Sequence, residues 1–108
     1  MKTFMPKNQS DMQTEHFIQI NNFGLEQTLP YSYSVLRETG RSDHHLLYVL
    51  QGWIEVEIHG KMRRVCAGQC AYIAPHDRHY YCFPMESHSR NYWIHFAGSA
   101  IEEILSSL

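Results

Sequence analysis

The sequence predicts an all-β domain, an antiparallel barrel or sandwich with one short α-helix at its C-terminal end. Three observations carry this. Short apolar segments recur in series between Leu36 and Phe96. Turn residues separate them at near-regular spacing: Gly40, Gly52, Gly60, Gly68 and the run Ile73-Ala74-Pro75-His76-Asp77-Arg78-His79. Several segments alternate with a period of two, the signature of a strand with one buried face. Short strands punctuated in this way indicate an antiparallel barrel rather than an α/β fold. The interior of such a barrel can hold one small ligand.

The elements follow in chain order. Residues 1–15 are polar and without sustained period, and read as an arm. Phe17, Ile18 and Ile20 begin the ordered domain, and Asn21-Asn22-Phe23-Gly24 carries the composition of a turn. Tyr31 to Arg37 alternates, placing Tyr31, Tyr33, Val35 and Arg37 on one face. His45 to Gln51 is apolar on both faces and so reads as a central strand. Trp53 to His59 alternates again. Gly60-Lys61 suits a two-residue hairpin turn with Gly first, which sets Val56 opposite Val65 and Glu57 opposite Arg64. Further strands are expected at Cys70–Ala74, Tyr80–Phe83 and Asn91–Phe96.

The barrel is thus expected over residues 16–98, with helix over 99–108. Ser99 and Glu102 have capping-box spacing, and Ile101, Ile104, Leu105 and Leu108 follow at helical intervals. The sequence stops about three turns into this helix, so a piece of a longer protein is expected.

The chain has 108 residues, enough for one domain with one modest core. A net charge of −2 with scattered Lys and Arg excludes a nucleic-acid-binding footprint. No apolar run is long enough to span a membrane, and residues 1–15 lack a signal-peptide core. A cytoplasmic protein is expected, its three cysteines reduced thiols.

One family likeness emerges from these residues. Arg37-Glu38-Thr39-Gly40-Arg41, Leu46 to Gly52, Gly68-Gln69, Tyr72-Ile73-Ala74-Pro75, His79-Tyr80-Tyr81 and Tyr92-Trp93-Ile94-His95-Phe96-Ala97-Gly98 occur in that order. Together they resemble the N-terminal effector-binding domain of AraC-type transcription regulators. The resemblance implies a cupin-like barrel (jelly roll), a small-molecule effector in its lumen, and a homodimer in the full-length protein. It also implies DNA binding only through a separate C-terminal domain with two helix-turn-helix motifs, missing here. Ligand-binding positions fall on Arg37, Tyr81, Asn91 and Trp93. His95 joins them because it shares a strand face with Asn91 and Trp93. The set is chemically coherent: a guanidinium fork, two flat aromatic faces, and an amide that both donates and accepts. It suits a sugar, a sugar acid or an aromatic acid.

Blander roles compete for each residue: Trp93 as ordinary core, Arg37 as a surface partner of Glu38 or Asp43, Tyr80 and Tyr81 as rim residues. A metal site is the rival constellation. His79 occupies one cupin ligand position, but His44 and His45 are adjacent and point to opposite faces, so the paired histidines of a cupin metal motif are absent. Cys66, Cys70, His76 and His79 have ligand types suited to zinc but flank turns of a predicted sheet. No metal, no cofactor and no catalytic residue are therefore expected. The alternatives are a free-standing cupin enzyme, such as a metal-dependent isomerase or oxygenase, and a sugar-binding module with no regulatory partner.

Overall fold

The computed structural model describes residues 17–107. The expected arm, residues 1–15, lies outside them, as does Leu108. Eight strands form two antiparallel four-stranded sheets packed face to face. They are β1 (Gln19–Gln27), β2 (Tyr33–Arg37), β3 (His44–Gln51), β4 (Trp53–Ile58), β5 (Lys61–Cys66), β6 (Cys70–Ile73), β7 (His79–Phe83) and β8 (Arg90–Ala97). The first sheet has the order β1-β8-β3-β6 and the second β2-β7-β4-β5. A single 3₁₀ turn at Met85–Ser87 precedes β8, and helix α1 (Ser99–Ser106) ends the chain.

The core lies between the sheets. Leu47 and Val49 of β3, Ile54 and Val56 of β4, and Phe83 of β7 are buried from solvent there. β3 is central, flanked by β8 and β6, as its apolar sequence predicts. Its outward residues Tyr48 and Leu50 are nevertheless exposed, because no layer covers the outer face at that point.

Four local expectations need correction. Asn21-Asn22-Phe23-Gly24 is not a turn but the middle of edge strand β1, with a register shift between Ile20 and Asn22. The turn-like residues serve a bulge and a close approach instead. A Cβ on Gly24 would sit 2.6 Å from the Trp93 ring, so only glycine lets the indole lie flat there. The β4–β5 turn is His59-Gly60, with φ of 52° and 80°, rather than Gly60-Lys61. Both central residues are left-handed, the type I′ geometry that matches strand twist. Val65 therefore faces Ile54, and Arg64 faces Glu55. The shift is an even number of residues, so no side chain changes face.

The third correction concerns Tyr31, which precedes β2 and is exposed rather than sharing the face of Tyr33. The fourth is the capping box. Gly98 is the N-cap and no side chain caps the helix. The Ala100 N–H donates to Phe17 O at 3.1 Å, and Glu102 pairs with His44 Nε2 at 3.0 Å. His44 is stacked between Tyr72 and Phe96, which fixes the first turn of α1 on the outer face of the first sheet.

The two faces of β3 give a direct test. Leu47→Ala is expected to cost about 2–5 kcal/mol in a urea melt, the range for truncating a close-packed core leucine. Leu50→Ala is expected to cost less than about 1 kcal/mol. Equal losses would mean that β3 buries the other face.

Candidate functional site

Strand alternation and antiparallel register stack the inward side chains in three tiers. In the first, Arg37 of β2 lies opposite His79 of β7, and His45 of β3 lies opposite His95 of β8, with Asn22 of β1 beside it. In the second, Val35 pairs with Tyr81, and Leu47 with Trp93 over Gly24. In the third, Tyr33 pairs with Phe83, and Val49 with Asn91, next to Glu26. The first tier holds Arg37 and three imidazoles, and the third holds Glu26 and Asn91, because the inward series of these strands begin or end in polar residues.

A cavity of about 480 Å³ opens between the sheets across these tiers. Arg37, Tyr81, Trp93 and His95 line it together, so four of the five residues singled out from the sequence converge on one space. The fifth, Asn91, faces inward on the same strand but does not line the cavity; it is fully buried, and neither amide atom has a hydrogen-bond partner. Arg37 is not a surface ion-pair partner. Glu38 pairs with Arg78, and Asp43 with Arg41. Tyr81 is buried, whereas Tyr80 faces outward beneath Arg78.

Asn22, Glu26 and Arg41 also line the cavity, though the sequence does not single them out, and so does His45, whose sequence position suggests only a metal ligand. Asn22 and Glu26 were hidden by the turn-like composition of β1. The alternation Asn22-x-Gly24-x-Glu26 was the available signal, each of the three facing a partner on β8.

The hydrogen bonds fix the imidazole tautomers. His95 Nδ1 donates to Asn22 Oδ1 at 2.6 Å, which leaves its Nε2 to accept from His45 Nδ1 at 2.8 Å. His45 Nε2 is then a bare, buried acceptor without a partner. His79 Nδ1 faces the Arg37 guanidinium at 3.3 Å and must accept, so its buried Nε2 carries the proton. The His45 and His79 rings meet edge to face, with centroids 4.9 Å apart. Burial, reinforced by the neighbouring His95, pushes His45 down to about 3. Burial and then Arg37 push His79 down to about 4, and burial lowers His95 as well. All three rings are neutral at physiological pH. Hydrogen bonding to Arg41 holds Asp43 down to about 2.

These donors do not suit a metal ion. His44 points outward to Tyr72 and Glu102, while His45 and His95 spend facing nitrogens on each other. Among the described residues, no group of three or more His, Cys, Asp or Glu side chains could hold a metal. The zinc-type set is dispersed in environment: Cys66 and Cys70 are exposed, His79 is fully buried. A second recess of about 580 Å³ lies between the β4–β5 turn and the segment from Tyr72 to Arg78. Of its charged groups, Glu57 and Arg78 pair with each other at 3.0 Å.

The neutral histidines make stability depend on acid. An unfolded histidine titrates near 6.5, above the folded values of about 3 and about 4 for His45 and His79. Below 6.5 the unfolded chain binds protons that the folded barrel refuses. Stability is therefore expected to be level above pH 6.5 and to fall from there towards pH 4. Asp43 contributes in a lower window, from its ordinary 3.8 down to about 2. Thermal melts of wild type against His45→Asn and His79→Gln test this. An unchanged slope between pH 6.5 and 4 in both variants would show that these rings are not the source.

Comparison with known proteins places this geometry. Residues 23–108 match the family model of the AraC-like ligand binding domain. No curated protein matches the chain. Among solved structures, the cupin domain of Cnp3 from Schizosaccharomyces pombe superposes with a TM-score of 0.54 at 17% identity, over 80% of this chain and 61% of that one. A cupin protein from Bacteroides fragilis gives 0.51 at 12% identity, over 92% and 84%. The EutQ protein of Salmonella typhimurium gives 0.52 at 16% identity, over 68% of this chain and 55% of its own length. The chain thus spans little more than half of EutQ, and at these identities the likeness is one of fold: a cupin barrel. No described helix is long and apolar enough to cross a membrane. With the family model matched from the middle of β1 through α1, the chain belongs to the AraC-like ligand binding domain family.

Proposed function

We propose that this chain is the effector-sensing domain of a cytoplasmic AraC-type transcription regulator. It binds a small molecule, a sugar or sugar acid, between its two sheets. The observation that carries the reading is the convergence of Arg37, Tyr81, Trp93 and His95 on one cavity of about 480 Å³. That volume lies within the range of small-molecule sites, and the mixture of aromatic faces with a few placed polar groups suits recognition of a compact polar ligand. The bound molecule controls a separate helix-turn-helix domain, in a homodimer, through its different affinity for two states of the protein. DNA contact belongs to that other domain; with a net charge of −2 this chain lacks the phosphate-neutralising surface.

The role is binding and not catalysis. What supports this is the pairing of the buried His45 and His95, whose facing nitrogens are bonded to each other. A free-standing cupin enzyme, the runner-up, would need those nitrogens for a metal or a substrate.

Trp93 provides the test. A thermal-shift screen of pentoses, hexoses and their acids is expected to find at least one stabilising ligand. Trp93→Ala is expected to weaken its binding by about 1–3 kcal/mol through loss of a stacking face. The variant barrel should keep its β circular-dichroism spectrum. The coding sequence after Leu108 is expected to encode two helix-turn-helix motifs. A catalytic domain there, or undiminished binding by Trp93→Ala, would sink the proposal.

A further inference from the structure

Two charges in the cavity are held only by neutral partners, and they stand at opposite ends of it. At one end, Arg37 Nη1 reaches His79 Nδ1 and the Tyr81 hydroxyl, both at 3.3 Å. Its Nε and Nη2 have no hydrogen-bond partner among the described residues. The carboxylates nearest in sequence are committed: Asp43 takes Arg41 Nε at 2.6 Å and Nη2 at 3.2 Å, and Glu38 takes Arg78. At the other end, Glu26 accepts from the Tyr33 hydroxyl at 2.5 Å and makes no ion pair among the described residues. Tyr33 and Arg37 share one face of β2 four residues apart, a rise of about 13 Å. Trp93 and Tyr81 offer flat faces between the two ends.

A half-buried guanidinium with unused donors favours a planar anion that can take two of them at once. A neutral ligand would displace water from Arg37 and give no counter-charge in return. The surrounding histidines are neutral acceptors or donors and supply none either. A carboxylate facing Glu26 would be repelled, so that end calls for a donor. We propose that the effector is a small carboxylic acid bearing a hydrogen-bond donor, hydroxyl or ammonium, at its far end. It lies lengthwise, its carboxylate on Arg37, its donor on Glu26 and its body against Trp93. This rests on the reading of the cavity as the effector site.

The test uses Trp53→Phe protein, which leaves Trp93 as the only tryptophan, and follows its fluorescence near pH 7. The probes are D-galacturonate against D-galactose, and 5-hydroxyvalerate and 5-aminovalerate against valerate. Each acid with a distal donor is expected to bind at least about tenfold more tightly than its counterpart. Whichever of hydroxyvalerate and aminovalerate binds more tightly identifies the donor. Arg37→Gln is expected to abolish the preference for galacturonate, and Arg37→Lys to keep part of it, so that a folding defect in one variant leaves the other informative. Arg63→Gln, on the exposed strand β5, is expected to change nothing. Galactose binding as tightly as galacturonate would overturn the carboxylate assignment and leave the cavity as a ligand site. No response of Trp93 to any probe at about 10 mM would overturn both.

Discussion

The register of β8 between β1 and β3 is the constraint on which the rest of the structure depends. It sets His95 between Asn22 and His45, Trp93 between Gly24 and Leu47, and Asn91 between Glu26 and Val49. A slip of one residue would carry Tyr92 and Ile94 into the lumen and expel all three inward residues. Nothing in β8 alone forbids this, since both of its faces carry aromatic or aliphatic side chains. The imidazole–imidazole hydrogen bond of 2.8 Å and the space that Gly24 leaves for the indole reward only the observed register.

The same register gathers Arg37 and three imidazoles at one end of the interior and sets Glu26 and Asn91 at the other. Along β3 the inward series runs from His45 through Leu47 to Val49, and along β7 from His79 through Tyr81 to Phe83. Apolar core and cavity lining thus share continuous strands. Side chains mounted on paired strands are held more closely than side chains on loops. The histidines stay neutral because burial and the arginines both oppose their charging. The cavity therefore keeps a fixed charge pattern across the physiological pH range, with Arg37 and Glu26 its unpaired members.

Much of this was legible in the sequence, for identifiable reasons. The period-two alternation of Tyr33-x-Val35-x-Arg37 and of Asn91-x-Trp93-x-His95 required both series to face one side, and the two sheets turn those sides towards each other. The central position of β3 followed from its apolar run. What stayed hidden depended on partners remote in sequence. The chemistry of Asn21 to Gly24 is that of a turn unless β8 is present to receive it. His59 takes a left-handed conformation that sequence rules reserve for glycine and asparagine, so the hairpin register was misplaced by an even number of residues and its faces survived. Ser99 and Glu102 have capping spacing, but Phe17 and His44 compete for the same groups and win. Of the site, Glu26 was unreadable for the same reason as β1, and Asn91 was read as lining because its face was right while its depth was not.

Depth separates Asn91 from the other four residues, and it also bears on how the lumen is arranged. Asn91 is the inward neighbour of Glu26 across β1 and β8, buried without a partner for either amide atom. A buried amide left in this state is destabilising by an amount comparable to a lost hydrogen bond. Trp93 stands between it and the histidines of the first tier, two residues along the same strand. The walls that hold the cavity are also those that hold α1. β1 begins just after Phe17, whose carbonyl receives the Ala100 N–H, and β3 begins with His44, which holds Glu102 from the outer face while its neighbour His45 lies in the lumen. Any ligand that draws Asn22, Glu26 or His45 inward acts on the two strands that anchor the helix. The helix can respond only to the extent that the ligand binds one arrangement of those strands better than another.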